Sequence, residues 1–156
     1  MTDTTPSHPR LILGSTSRYR RELLQRLHVP FDVASPDVDE TPHPAEAPRQ
    51  LALRLALAKA HAVAKQHPSC VVIGSDQVAD LDGTPLGKPG DHQRAVQQLQ
   101  QMRGRTAVFQ TAVAVVHLDA GFEQVDLAPV QVRFRALSDA AIEHYLRTEQ
   151  PYDCAG

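Results

Sequence analysis

Ser15, Thr16 and Ser17 stand directly ahead of Arg18, Arg20 and Arg21, a cluster of hydroxyls and guanidiniums suited to holding an anion. They follow the apolar run Leu11–Leu13 and Gly14, and Leu23, Leu24 and Leu27 recur behind them at helical spacing. The order reads as a strand, a tight turn and a helix with Ser17 as its N-cap. Backbone N–H groups at a helix start, with flanking hydroxyls and arginines, suit phosphate best. A capped surface helix with solvated arginines fits the same residues.

Four further positions can do chemistry. Asp76 closes the apolar run CVVIGSD (Cys70–Asp76), and ligands of open α/β sheets gather at the carboxyl ends of strands. A capping aspartate is the plainer reading. Asp39 and Glu40 lie in the loop Pro36–Pro48, and magnesium takes one or two carboxylates together with substrate phosphates. A solvated acidic loop looks the same. Lys59 borders the stripe Leu51, Leu55, Ala58 and Ala62 of a helix read over Arg49 to Gln66, so it either snorkels to water or points its ammonium into a site. Lys88 sits in LGKPG, which is one residue short of a P-loop and has Pro89 where the magnesium-binding hydroxyl would stand. It is left as a point charge for phosphate or a solvated turn lysine.

The elements that must position these residues alternate. A short strand is read at Phe31–Ala34, and the Cys70–Asp76 strand can continue through Gln77–Leu81 into the turn Asp82-Gly83. A helix spans His92–Met102, ended by Gly104. Thr106–Leu118 and Phe122–Leu137 read as an antiparallel hairpin, and Ser138 caps a last helix through Arg147. Strands interleaved with helices, plus a hairpin, give a mixed-sheet α/β fold.

Composition bounds the function. A chain of 156 residues with net charge −2 has the length of one domain and no global attraction for nucleic acid, so any phosphate site must be local. Cys70 and Cys154 have no short spacing, which argues against a disulfide framework or zinc site and fits reduced thiols in a cytoplasmic protein. The polar segment 1–9 reads as a flexible leader, and no stretch approaches the ~20 apolar residues of a membrane span. Eight histidines without H-E-x-x-H spacing, and the lack of a G-x-S-x-G elbow, remove two common hydrolase classes. Aromatic residues are too scattered for a single-strand stacking platform.

In their order along the chain, GSTSRYRRELL (Gly14–Leu24), VDETP (Val38–Pro42), LALRLALAKA (Leu51–Ala60), IGSDQV (Ile73–Val78), GKP (Gly87–Pro89), FRALSD (Phe134–Asp139) and the terminal CAG resemble the Maf-like nucleoside triphosphate pyrophosphatases. The resemblance implies an ITPase-like α/β fold, a mixed twisted sheet flanked by helices. It implies hydrolysis of a nucleoside triphosphate to the monophosphate and pyrophosphate with a divalent cation, Mg²⁺ or alternatively Mn²⁺. By that resemblance Asp76 is the general base, and Glu40 and Asp76 hold the metal. Ser15, Arg20, Lys88 and the weaker candidate Arg21 hold the triphosphate, and Lys59 is a second cationic contact. The family suggests a homodimer and implies neither nucleic-acid nor membrane partners. Its pattern continues past CAG, so residues 10–156 are expected to form a single domain lacking the family's C-terminal part.

Asp76-Gln77 and Tyr19 are similar to the 7-methyl-GTP subgroup, in place of the Asp-Thr and arginine of the dTTP/UTP type. N7-methylguanine is cationic, and an aromatic face attracts a cation by roughly 0.5–2 kcal/mol where an arginine repels it. Cys154, in place of a lysine, likewise removes a like charge. The alternatives are a dTTP/UTP or broad-specificity pyrophosphatase, and a catalytically silent nucleotide sensor of the cell-division kind.

Overall fold

The computed structural model describes residues 8–154. Residues 1–7 of the expected leader, and Ala155 and Gly156 of the terminal CAG, lie outside the described residues. The elements run β1 (Leu11–Gly14), α1 (Arg18–Gln25), β2 (Asp32–Ala34), α2 (Pro48–Ala64), β3 (Val71–Leu81), β4 (Thr84–Leu86), α3 (His92–Met102), β5 (Thr106–His117), β6 (Phe122–Arg133) and α4 (Asp139–Glu149).

The strand order is β2-β1-β3-β5-β6, with β4 paired to β3 off that path. β1 runs parallel to β2 and β3, whereas β4 is antiparallel to β3, so the sheet is mixed as expected. The short strand β4 was not expected. Its cause is the turn: Asp82 (φ 52°) and Gly83 (φ 86°) both take positive φ, the two-residue geometry that folds a strand back on itself. β6 stops at Arg133 rather than Leu137, because the Phe134 N–H donates to the Arg105 carbonyl and the Leu137 N–H to that of Arg135. Pro129 is tolerated within β6, the terminal strand of the order.

Residue contacts divide the chain into two compact units, and β3, β5 and β6 each contribute to both. Of the described residues, the first unit holds 8–41, 53–76 and 112–126. Its core is Ile12, Leu13, Leu55, Ala56, Ala60, Val63 and Val72. Gly14 of β1 is the register partner of Gly74 of β3, and α2 lies over both. A Cβ placed on Gly74 would stand 2.4 Å from the Ala56 carbonyl oxygen and 2.5 Å from the Ala60 nitrogen. Glycine is therefore required there by close backbone approach. The buried face of α2 is Leu51, Ala52, Leu55, Ala56, Lys59, Ala60, Val63 and Ala64; of the expected stripe Leu51 and Leu55 are buried, and Ala58 and Ala62 only half-buried. Alanines on every side of the helix make its apolar period degenerate, and the true face is rotated so that Lys59 lies within it. Leu23 and Leu27 of α1 do not enter the core; they are 57% and 66% exposed.

Of the described residues, the second unit holds 42–52, 77–111 and 127–154. α3 and α4 pack over Leu81 and Ala107 through Ala95, Leu99, Met102, Ile142 and Leu146. Both helices start on side-chain caps: Asp91 Oδ1 accepts from the Arg94 N–H at 2.8 Å and Ser138 Oγ from the Ala141 N–H at 3.1 Å. Such caps contribute about 1 kcal/mol each.

Candidate active site

β1 ends at Gly14, and the chain turns at once, with the Ser15 N–H donating to the Leu13 carbonyl. Ser15 Oγ accepts from the Ser17 N–H at 3.0 Å, and Ser17 Oγ caps α1 through the Arg20 N–H at 3.3 Å, as its sequence position suggests. Ser15 is buried, and a hydroxyl that accepts still has its own proton to donate. The capped turn aims Arg20 inward. Burial works against the Arg20 charge, while Asp76 and Glu40 support it.

Asp76 is placed by β3. It lies two residues beyond Gly74 and so shares the strand face that α2 covers. Because Gly74 lets α2 come close, Lys59 Nζ reaches Asp76 Oδ1 at 2.8 Å, both side chains being about 10% exposed. The same ammonium lies 2.5 Å from Glu40 Oε1. The acidic loop delivers Glu40 through two contacts absent from the sequence reading. Asp39 Oδ1 accepts the Thr41 N–H at 3.0 Å, and Arg54 of α2 donates to the Thr41 carbonyl at 3.1 Å. Of the acidic pair, Asp39 shapes the turn and Glu40 faces the lysine.

Burial pushes the Asp76 carboxyl up from its ordinary range; Lys59, first by its hydrogen bond, and then Arg20 pull it down, and Glu40 pushes it up again. Two carboxylates and two cations thus converge at a strand end. A buried carboxyl perturbed by such charged partners marks functional sites more often than ordinary surface does.

The family model described as Maf-like protein matches residues 10–156. The chain belongs to that family. A curated relative from a Polaromonas species, named 7-methyl-GTP pyrophosphatase, is 72% identical over 99% of this chain and 71% of its own length. Relatives of the same name from Albidiferax ferrireducens and Bordetella avium are 69% and 58% identical, over 97% and 96% of this chain and 76% and 75% of theirs.

The remaining expected positions of this Maf-like chain are dispersed. Arg21 is exposed and lines a separate cleft with Gln25, Phe31 and Val33. Tyr19 is 44% exposed, and the Arg18 guanidinium stands over its ring at 4.9 Å from the centroid while donating to the Tyr19 hydroxyl at 3.0 Å. Gln77 and Lys88 belong to the second unit. Gln77 Nε2 donates to Thr111 Oγ1 at 2.8 Å, and Lys88 is exposed on the loop after β4.

Among the described residues no group of three or more His, Cys, Asp or Glu side chains is arranged to hold a metal ion. The donor set nevertheless fits a hard divalent cation. Asp76 and Glu40 direct carboxylate oxygens at a single cationic position, taken by Lys59 Nζ. Two carboxylates completed by substrate phosphates are the usual protein share of a magnesium site. Sequence reasoning named Arg18 in the basic cluster and missed Arg54, Ser75 and Thr111. Ser75 is buried and donates to the Ala112 carbonyl at 2.8 Å, tying β3 to β5 beside Asp76. No motif signals Arg54 or Thr111, since each acts through contacts set by tertiary placement.

Proposed function

We propose that this chain is a nucleoside triphosphate pyrophosphatase that hydrolyses 7-methyl-GTP to the monophosphate and pyrophosphate, removing a modified nucleotide. The observation that carries the chemistry is the buried Asp76 carboxylate, ion-paired with Lys59 and faced by Arg20 and Glu40. The names of the relatives support the substrate. Attack on the α-phosphorus needs a water that gives up a proton as the bond forms. In this reading Asp76 orients that water and accepts the proton. Arg20 and Lys59 bring positive charge to a site that must hold a triphosphate, and Ser15 supplies a buried hydroxyl. Lys88 is a further cationic contact for the phosphates, with Arg21 a weaker one. A divalent cation, Mg²⁺ or Mn²⁺, held by Glu40 and Asp76, would neutralise charge on the phosphates and the leaving pyrophosphate. The reaction's substrate pool and the two unlinked free cysteines, Cys70 and Cys154, suit the cytoplasm.

The test is pyrophosphate release from 7-methyl-GTP, GTP, dTTP and UTP in magnesium buffer, repeated with excess EDTA. Release is expected chiefly from 7-methyl-GTP, to stop on chelation and to return with added Mg²⁺. Binding without release from any of the four would replace this reading with that of a nucleotide sensor.

One observation favours a second reading, in which the base is neutral, as in dTTP or UTP. Arg18 already occupies a face of Tyr19, and a cationic base stacking there would meet it. Tyr19→Arg separates the two. If the ring receives N7-methylguanine, the variant loses about 3- to 30-fold in kcat/KM for 7-methyl-GTP, the equivalent of one cation–π contact, and little for dTTP. Equal losses on both substrates would favour the neutral base.

A further inference from the structure

The loop Gly87–Gly90 that carries Lys88 is fastened at both ends. Gln98 Nε2 donates to the Gly87 carbonyl at 2.8 Å, and the Gly90 N–H donates to the Tyr152 carbonyl at 2.9 Å. Gly90 sits at φ 81°, a conformation other residues adopt only with strain. Pro89 between them is buried, whereas Lys88 is exposed. The loop's geometry therefore depends on Tyr152, in a segment after α4 without regular structure.

Tyr152 is held by His92, the first residue of α3. His92 Nδ1 lies 2.8 Å from the Tyr152 hydroxyl, with the two rings edge to face at 5.9 Å between centroids. The hydroxyl donates its only proton to the Leu146 carbonyl at 3.2 Å, so toward the imidazole it is an acceptor. On the other side, Nε2 lies 2.8 and 2.9 Å from the two carboxylate oxygens of Glu143, which also takes a hydrogen bond from Arg147 Nε. The His92 hydrogen bond, more than any other contact, holds the Glu143 carboxyl below its ordinary range, so this partner too is an acceptor. His92 thus bridges Glu143 of α4 to the Tyr152 segment. The charged neighbours of this bridge are Glu143 and Arg147 on α4 and the Asp91–Arg94 pair on α3 itself. Cys154, two residues beyond Tyr152, feels the Lys88 charge, so the clamped segment and the lysine lie close together.

We propose that His92 is a positioning residue for nucleotide capture: by locking Tyr152 onto Gly90 it fixes the Lys88 loop in the geometry that receives phosphate. The inference rests on the reading of Lys88 as a phosphate contact, and the experiment tests that premise separately. A fixed loop spends less ordering entropy on binding, so loss of the lock shows in KM rather than in the chemical step.

The experiment measures kcat and KM for 7-methyl-GTP with His92→Gln, His92→Asn, Tyr152→Phe and Lys88→Ala, and with the double variants carrying Lys88→Ala. An asparagine amide can reproduce the Nδ1 donor toward Tyr152, whereas a glutamine amide reaches toward the Nε2 position. His92→Gln is expected to raise KM about fivefold, the worth of roughly one hydrogen bond, with kcat changed less than about twofold. His92→Asn should stay near the parent. Tyr152→Phe keeps the ring and removes both the His92 contact and the hydroxyl's bond to the Leu146 carbonyl, so it should raise KM at least as much as His92→Gln, even if that variant folds poorly. In the Lys88→Ala background the same substitutions should have no further effect on KM. Equal effects with and without Lys88, or a fall in kcat as large as the rise in KM, would overturn the positioning role. A Lys88→Ala variant with unchanged KM would overturn the premise, whatever His92 does.

Discussion

Asp76→Asn is expected to reduce turnover by about 10²–10⁴-fold, the range associated with losing a positioned general base, while nucleotide affinity changes little. Asparagine keeps the size and one acceptor, so Lys59 and Arg20, the cations of the proposed phosphate site, retain their surroundings. Binding is read by calorimetry and turnover by pyrophosphate release. A variant that keeps more than about a tenth of parental turnover removes Asp76 from the role of base.

The pH dependence follows from the same carboxyl. Burial raises its folded-state pKa above the unfolded value, and the Lys59 hydrogen bond offsets this only in part. In the proposed role of base Asp76 acts in its ionised form, so the acid limb of kcat/KM, measured in magnesium buffer, should rise with the Asp76 titration and vanish in Asp76→Asn. Stability runs the other way. A raised folded pKa means that the fold prefers the protonated acid; this contribution is present below the unfolded pKa and is lost as pH rises through the folded one. The melting temperature of Asp76→Asn relative to the parent, measured without metal, should therefore increase with pH across that window and be flat on either side. A constant difference would mean that Asp76 titrates alike in both states.

Much of this site was legible because the chemistry sits where the sequence pattern is strongest. A β-branched apolar run ending in an acid locates Asp76, and hydroxyls after a glycine locate the capped turn that positions Ser15 and Arg20. Lys59 was harder. Ala52, Ala56, Ala58, Ala60, Ala62 and Ala64 place small residues all round α2, so no periodicity distinguishes the buried face, and a lysine inside it looks like one at its border. Glu40 could not be separated from Asp39 by composition, since the difference lies in the Arg54 hydrogen bond to the Thr41 carbonyl. The three-residue β4 carries a proline and too few residues for a pattern, although Asp82-Gly83 after a strand already demanded a returning partner. Tyr19 offers a ring to a cation, but the cation over that ring is its own neighbour, Arg18, a pairing that sequence order cannot orient.

Gly74→Ala should be the most disruptive single methyl group in the first unit. The new carbon would meet the Ala56 oxygen at 2.4 Å, the Ala60 nitrogen at 2.5 Å and the Ala60 Cα at 2.9 Å, all backbone atoms that no rotamer change can move. α2 must withdraw from β3 by about an ångström, and overpacking of this kind costs about 1–3 kcal/mol, with the rigid neighbours here favouring the upper end. The withdrawal also carries Lys59, which lies between Ala56 and Ala60, away from Asp76. Misplacement by about an ångström can cost on the order of 10²-fold in rate, so turnover should fall even under conditions where the variant is fully folded. Gly14→Ala is the matched control on the paired strand. Its methyl would meet the Val63 Cγ2 at 3.1 Å, a side-chain atom that can yield, and the Ile73 oxygen at an acceptable 3.4 Å. Reduced freedom of the unfolded chain offsets about 0.4–1 kcal/mol of any strain, leaving Gly14→Ala close to the parent. Denaturant midpoints for the two variants, with kcat measured well below each midpoint, check the pair. Similar small losses at both positions would mean that α2 is free to slide and that the Lys59–Asp76 distance is not set by the glycine; a large loss at Gly74 alone, in stability and rate together, ties the catalytic geometry to the absence of one carbon atom.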